Sequence, residues 1–141
     1  MKISTRGRYA LRVMIDLAEH IDGRYIPLKD IAERQEISQK YLESIMLDLS
    51  KAKLLDGRHG KGGGYKLNRI PEEYNVYEIL QITEGDLAPV ACLDDMAVCN
   101  RAGECRTLSL WRGLYKLIKD YFGGITLADL MKKSGDYNYV I

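Results

Sequence analysis

The run Ile31-Ala32-Glu33-Arg34-Gln35-Glu36-Ile37-Ser38-Gln39-Lys40-Tyr41-Leu42-Glu43-Ser44-Ile45-Met46 decides how this chain folds. Leu28, Ile31 and Ala32 form the apolar side of a short helix opened by Pro27, and Gln35-Glu36-Ile37 is too polar and too brief to be anything but a turn. Ser38 is placed to cap the next helix, because its hydroxyl can accept a backbone N–H that the first helical turn leaves unpaired. Leu42, Ile45, Met46 and Leu49 recur at helical spacing on one face of that helix. Gln39, Lys40, Glu43 and Lys51 fall on its polar faces, with Tyr41 near the N-terminal end. Two helices joined by a tight turn, the second beginning with an exposed polar turn, are the parts of a helix-turn-helix.

Upstream, Ser4 or Thr5 caps a helix whose buried positions are read as Leu11, Met14, Ile15, Ala18 and Ile21, with Gly23 as its stop. Downstream, Leu54-Leu55 and Tyr65-Lys66-Leu67 flank Asp56-Gly57-Arg58-His59-Gly60-Lys61-Gly62-Gly63-Gly64, two short strands joined by a long glycine-rich loop, which is a wing. A fourth helix is expected after Pro71, carrying Tyr74, Val76, Ile79, Leu80 and Ile82 and ending at Gly85. The stretch from Ala88 to Cys105 reads as a loop. Thr107 to Phe122 is a long helix with Leu108, Trp111, Leu114, Tyr115, Ile118 and Phe122 on one apolar face, stopped by Gly123-Gly124. Because the first 80 or so residues can close a core by themselves, this face is read as the seam of a two-fold homodimer. Thr126 with Asp129 has the form of a capping box for a last short helix, and the tail from Ser134 is expected to fray. The fold class is therefore mainly α with a small β-hairpin: a winged helix-turn-helix over residues 1–84, a cysteine loop over 85–106, and a long dimerisation helix with its tail over 107–141.

A hydrophobic content of 46% and a charged content of 29% belong to a globular chain. No apolar run reaches the roughly 18 residues that a membrane span needs, and no hydrophobic segment follows Met1-Lys2-Ile3-Ser4-Thr5-Arg6, so the expected location is the cytoplasm. The net charge of +1 is unevenly spread. Residues 1–66 carry 13 Lys and Arg against 9 Asp and Glu, and residues 67–141 carry 8 against 11. A polyanion would meet the first half, and double-stranded DNA suits the geometry. A recognition helix reads base edges with its N-terminal turns, which here present Ser38, Gln39, Lys40, Tyr41 and Glu43. Gln pairs with adenine, Lys with guanine, and Glu accepts from cytosine N4. Arg58, His59, Gly60 and Lys61, with Lys66, supply a wing suited to phosphate or minor-groove contact. Gly60 to Tyr65 lacks the Gly-Lys-Ser/Thr ending of a phosphate-binding loop.

All three cysteines, Cys92, Cys99 and Cys105, fall in one loop with six and five residues between them. An odd number cannot pair within one chain, and a reducing compartment disfavours a structural disulfide. An iron-sulfur site, a zinc site and a metal-free thiol switch compete. Zinc is the poorer match, since its structural sites use ligands paired two to four residues apart. A Cys-His nucleophile pair is disfavoured because His20 sits at a helix end and His59 in the wing; the chain is not read as an enzyme.

Gly7-Arg8-Tyr9-Ala10, Ile31-Ala32-Glu33-Arg34-Gln35, Ile37-Ser38, Tyr41-Leu42-Glu43, Gly60 with Gly62-Gly63-Gly64-Tyr65, the cysteines, Leu110-Trp111-Arg112 and Ile125-Thr126-Leu127 together span nearly the whole chain. In these motifs it resembles the IscR-type iron-sulfur cluster regulators, a bacterial family of winged-helix transcription factors whose sister branches sense nitric oxide, iron or cysteine status. The resemblance implies a homodimer that crosses its long C-terminal helices and mostly represses. It implies an iron-sulfur cluster at Cys92, Cys99 and Cys105, a 2Fe-2S cluster foremost and a 4Fe-4S cluster as the alternative. It also implies operator choice that changes when the cluster is lost, and control of cluster-assembly genes. Ser38, Tyr41 and Glu43 match the family's DNA-reading residues, with Glu43 as the selective one. The chain departs from the pattern at three places. The family places an arginine where His59 stands, so Arg58 or His59 takes that part. The first cysteine gap is one residue longer. Leu108 stands where the family has a histidine ligand, which leaves Asp94, Asp95, Glu104, a group from the partner chain or a small thiol as fourth donor. An iron-sulfur carrier and a metal-free thiol or nitric-oxide-responsive repressor are the alternatives.

Overall fold

A computed structural model describes residues 2–93 and 103–131. Its elements run α1 (Thr5–Glu19), α2 (Leu28–Gln35), α3 (Gln39–Lys51), β1 (Leu55–Arg58), β2 (Gly64–Leu67), α4 (Val76–Glu84), α5 (Leu108–Gly123) and α6 (Leu127–Leu130), with 3-10 turns at Pro71–Glu73 and Ala91–Leu93. The architecture is the expected winged helix-turn-helix: helices around a main core, with a two-stranded antiparallel hairpin at its edge.

Local chemistry starts each of the first three helices. Ser4 accepts the Gly7 N–H at 3.0 Å, and Glu84 at the end of α4 holds Ser4 in turn, accepting its N–H at 2.6 Å and its hydroxyl at 2.8 Å. Pro27 enters α2 with φ already near the helical value, and Glu36 ends the helix in the left-handed region at φ 54°. That reversal turns the chain so that Ile37 enters the core and Ser38 caps α3, accepting the Tyr41 N–H at 3.2 Å. The angle between α1 and α2 is fixed by Asp16, whose carboxylate is buried. It accepts two bonds from Arg34, at 3.0 and 2.7 Å, and one from Gln35 at 2.8 Å. The same bond to Asp16 raises the pKa of the Arg34 guanidinium above its ordinary value. A buried carboxylate stripped of such a partner costs about 3 kcal/mol, so this cluster is a lock for the motif.

Leu42, Ile45, Met46 and Leu49 of α3 are all buried, as the periodicity predicts. The first helix differs from the sequence reading in two ways. It ends at Glu19, with His20 as its C-cap, rather than at Gly23. Its buried face is Ala10, Val13, Met14, Leu17 and Ala18, while Leu11 and Ile15 are half-buried and Ile21 lies past the helix, 57% exposed. The face is turned because α4 and α6 also pack on α1 and draw Ala10, Val13 and Leu17 inward.

The hairpin is longer, and its loop shorter, than the glycines suggest. Asp56, Gly57 and Arg58 pair with Lys66, Tyr65 and Gly64, leaving 59–63 as the turn. Ile26, just before α2, bridges to Tyr65 through N–H···O bonds of 2.8 and 2.9 Å, a third line of pairing that the sequence did not announce. Gly64 permits this approach, since a Cβ there would sit 2.1 Å from the Ile26 carbonyl oxygen.

Pro71 opens a 3-10 turn rather than α4 itself; α4 is capped by Asn75 in a capping box with Glu78, and Tyr74 is the buried residue between the two. Along α5, Leu108 is buried and Trp111, Tyr115, Ile118 and Phe122 are half-buried, with Ile118 and Phe122 packed beside α4 residues in a second small core. Leu110, Leu114, Leu117 and Tyr121 are exposed. The single apolar face read from the sequence is thus two adjacent stripes. The chain then returns: Thr126 bridges Asn75, and Leu127 is fully buried in the core of the first 80 residues. The expected fraying from Ser134 falls outside the described residues. No helix among the described residues is long and apolar enough to cross a membrane.

Candidate nucleic-acid interface and cysteine segment

Ser38, Gln39, Lys40, Tyr41 and Glu43 are exposed on the first turns of α3. Arg58 ends β1, and His59, Gly60 and Lys61 form the hairpin turn, exposed as well. An open groove of about 870 Å³ runs between α3 and the hairpin and brings Gln39 and Glu43 opposite Arg58, His59 and Gly60. Ser38, Lys40, Tyr41 and Lys61 lie outside it. Tyr41 packs edge-on against Tyr9 of α1, with centroids 5.9 Å apart, and Arg12 stacks on the other partner of that pair, 5.1 Å from the Tyr9 ring. Arg12 is itself bonded to the carbonyl and side chain of Gln35, so the turn of the motif and the side chain of Tyr41 share one support. Lys40, Glu43, Arg58 and Lys61 make no ion pair among the described residues, so the site presents its charges unneutralised.

Tyr25 was not singled out by sequence reasoning, yet it organises the hairpin's cations. Its ring takes the Arg58 guanidinium at 5.9 Å and the Lys66 ammonium at 4.7 Å, one from each strand. Lys29 in the first turn of α2, and Lys53 after α3, line the same groove. Burial, and next the negative charge of Glu43, raise the pKa of the Tyr65 phenol above its ordinary value. No local pattern signals these residues, because their roles depend on pairing across 26 to 65.

Cys92 is half-buried in the 3-10 turn Ala91–Leu93, and Cys105 is exposed two residues before the cap of α5, its Sγ 3.4 Å from Thr107 Oγ1. Cys99, Asp94 and Asp95 lie outside the described residues; Glu104 is exposed. Among the described residues no three His, Cys, Asp or Glu side chains converge as a metal site. The donor set still suits thiophilic iron: three soft thiols in one segment between two helices. Leu108 contributes no ligand; its apolar side chain, at the first position of α5, is buried. Asp86, at the start of the segment, accepts the Ala88 N–H at 2.9 Å and the Tyr115 hydroxyl at 3.1 Å, and Tyr115 also meets the Tyr77 hydroxyl at 3.4 Å. These neighbours raise the pKa of the Tyr115 phenol, the bond to Tyr77 most of all.

The sequence profile of the Rrf2 family, described as "iron-dependent transcriptional regulator", matches residues 3–133. The chain belongs to the Rrf2 family. This Rrf2 protein is 37% identical to the HTH-type transcriptional regulator IscR of Aliivibrio salmonicida, over 93% of the chain and 77% of that relative. Its fold matches the structure of IscR from T. potens with a TM-score of 0.75 at 34% identity, covering all of the chain and 93% of that structure. It matches CymR, the global cysteine regulator of B. subtilis, with a TM-score of 0.73 at 34% identity, over 92% of the chain and 95% of that structure. The Rrf2 chain is accordingly a DNA-binding transcriptional regulator, not an enzyme.

Proposed function

We propose that this Rrf2 regulator acts in the cytoplasm as a homodimer joined along α5, binding operator DNA through α3 and the hairpin, mostly as a repressor. Its DNA affinity would be set by an iron-sulfur cluster at Cys92, Cys99 and Cys105, 2Fe-2S foremost, and its targets would include cluster-assembly genes. The observation that carries the DNA reading is the groove that sets Gln39 and Glu43 against Arg58, His59 and Gly60. In this reading Ser38, Gln39, Lys40, Tyr41 and Glu43 meet base edges in the major groove, while Arg58, His59, Gly60 and Lys61 meet phosphate or the adjoining minor groove. Gln39 pairs with adenine, and Glu43 accepts from cytosine N4 and repels sites where no donor faces it.

The three thiols would hold the cluster, which when bound supplies iron–thiolate bonds joining three points of one segment. The chain's own part is to connect that segment to its neighbours. Asp86 fixes the backbone at Ala88 and the Tyr115 hydroxyl of α5 together, and Tyr115 reaches Tyr77 of α4. Order in the segment therefore bears on both helices that flank it. A coupling of about 1 to 3 kcal/mol between such a segment and DNA is ordinary for a ligand-controlled binder.

A second reading, a metal-free thiol regulator, is favoured by Leu108 standing buried where a histidine ligand is expected. One experiment separates them. Wild type and the Cys92→Ala, Cys99→Ala and Cys105→Ala variants are reconstituted anaerobically, assayed for iron and sulfide, and titrated against selected operators. The cluster reading expects a coloured wild type and three colourless variants locked in one operator preference. A colourless wild type with full, oxidant-dependent DNA binding would establish the thiol reading instead. Holo and apo protein binding every operator equally would overturn both.

A further inference from the structure

We propose that the Tyr74 hydroxyl is the positioning group that sets the angle of the hairpin, and that the Tyr74 backbone ties this setting to the chain after α5. The inference rests on the reading of the hairpin as a DNA-contacting wing. Tyr74 is fully buried between the 3-10 turn and α4, and its hydroxyl reaches both feet of the hairpin. It donates to the Leu54 carbonyl at 2.8 Å, immediately before β1. It accepts the backbone N–H groups of Asn68 at 3.0 Å and Arg69 at 3.2 Å, immediately after β2. Asn68 Oδ1 also lies 3.1 Å from this hydroxyl, whose one proton goes to the nearer Leu54 carbonyl, so every partner of the group belongs to these two segments.

Asn68 reinforces the junction, donating its side-chain amide to the Lys53 carbonyl at 3.0 Å and to Asp56 at 3.2 Å. Arg69 lies 4.9 Å over the Tyr74 ring and pairs with Glu78 of α4 at 2.9 Å. A two-stranded hairpin is marginal by itself, so its direction is set by what holds it. Here two anchors define that direction: the Ile26–Tyr65 bridge along its length and Tyr74 at its feet. Burial raises the phenol's pKa above its ordinary value, and a phenol is a donor at neutral pH even without that shift. The Tyr74 carbonyl, meanwhile, accepts the Leu127 N–H at 2.9 Å, and the Val76 N–H donates to the Ile125 carbonyl at 3.0 Å. A phenylalanine would fill the same core volume and keep these backbone bonds; what it would lose is the hydroxyl's hold on the two feet of the hairpin.

The test compares Tyr74→Phe with Lys61→Ala, Asn68→Ala and the core variant Ile79→Val. Each is assayed for the slope of log affinity against log salt on one operator and for amide exchange of residues 55–67. Tyr74→Phe is expected to lower the slope by about one phosphate contact, roughly 0.9, and to speed exchange through the hairpin, with Asn68→Ala doing the same more weakly. Ile79→Val, an equally conservative loss in the same core, should change neither. A normal slope and normal exchange in Tyr74→Phe, or equal effects in Ile79→Val, overturns the positioning role. If Lys61→Ala leaves the slope unchanged, the wing reading fails separately, and faster hairpin exchange in Tyr74→Phe alone still supports the positioning role.

Discussion

Gln39 and Glu43 stand about one helical turn apart on α3, facing the groove with no ion pair among the described residues, so each can be asked a different question. Gln39→Ala should lose about 1 to 3 kcal/mol of specific binding and leave binding to unrelated DNA almost unchanged, measured by titration on both. Glu43→Ala should gain affinity for operators altered at one base pair, because an acid enclosed against DNA without a donor opposite it discriminates by repulsion; equal discrimination in the two proteins would refute that role. Tyr74 gives a prediction in pH. Its folded pKa lies above the unfolded value, because burial disfavours the phenolate. The stability it contributes is fully present below about pH 10 and is lost as pH rises through the folded value. Thermal melts should therefore fall more steeply above pH 10 for wild type than for Tyr74→Phe. At this scale the sequence was legible where a residue's role is local. Ser38 as a cap and Thr126 with Asp129 as a capping box needed only neighbours three residues away. Tyr25 and Tyr74 carried no such signal, since the partners of the Tyr74 hydroxyl lie 5, 6 and 20 residues off in sequence.

Among the elements, the hairpin shows most clearly what local preference leaves out. Asp56, Gly57 and Arg58 have little liking for strand, and they extend because Tyr65 is held from its other side by Ile26. The glycines of the hairpin are not equivalent. At Gly64, φ is +147° and an added Cβ would lie 2.1 Å from a backbone oxygen that cannot move aside, whereas at Gly60, where φ is +86°, an added Cβ meets nothing within 4 Å and only the backbone strain would be felt. Gly64→Ala is thus expected to cost at least about 1 to 3 kcal/mol in urea denaturation and to weaken DNA binding, with Gly60→Ala closer to wild type in both. The opposite ranking would mean that the Ile26 pairing is dispensable. Helix α1 was misread by the same kind of omission. Its period was plain, but which side faced inward depended on α4 and α6, which come 60 and more residues later.

For the whole molecule, the unanswered surface is the stripe Leu110, Leu114, Leu117 and Tyr121, spaced four, three and four residues apart, with Leu117 and Tyr121 each 67% exposed. The sequence showed that α5 was apolar enough to need a cover. It could not show that Ile118 and Phe122 would pack beside α4 within the same chain, leaving a second stripe free for a partner. Leu117→Asp should convert a dimer to a monomer in sedimentation, and weaken operator binding by the loss of one half-site. A variant that stays dimeric would place the dimer seam elsewhere. The return of the chain after α5 has a practical consequence for dissection. A protein cut after Gly124 removes Leu127 from a core it fills completely and removes the backbone partners of Tyr74 and Val76. A vacated leucine site alone costs about 2 to 5 kcal/mol, of the order of a small domain's whole margin. A fragment that ends at 84, or a reporter fused at 124, should therefore melt well below the chain carried through 131. Anyone who trims this regulator to a minimal DNA-reading piece will have to graft residues 125–131 back on.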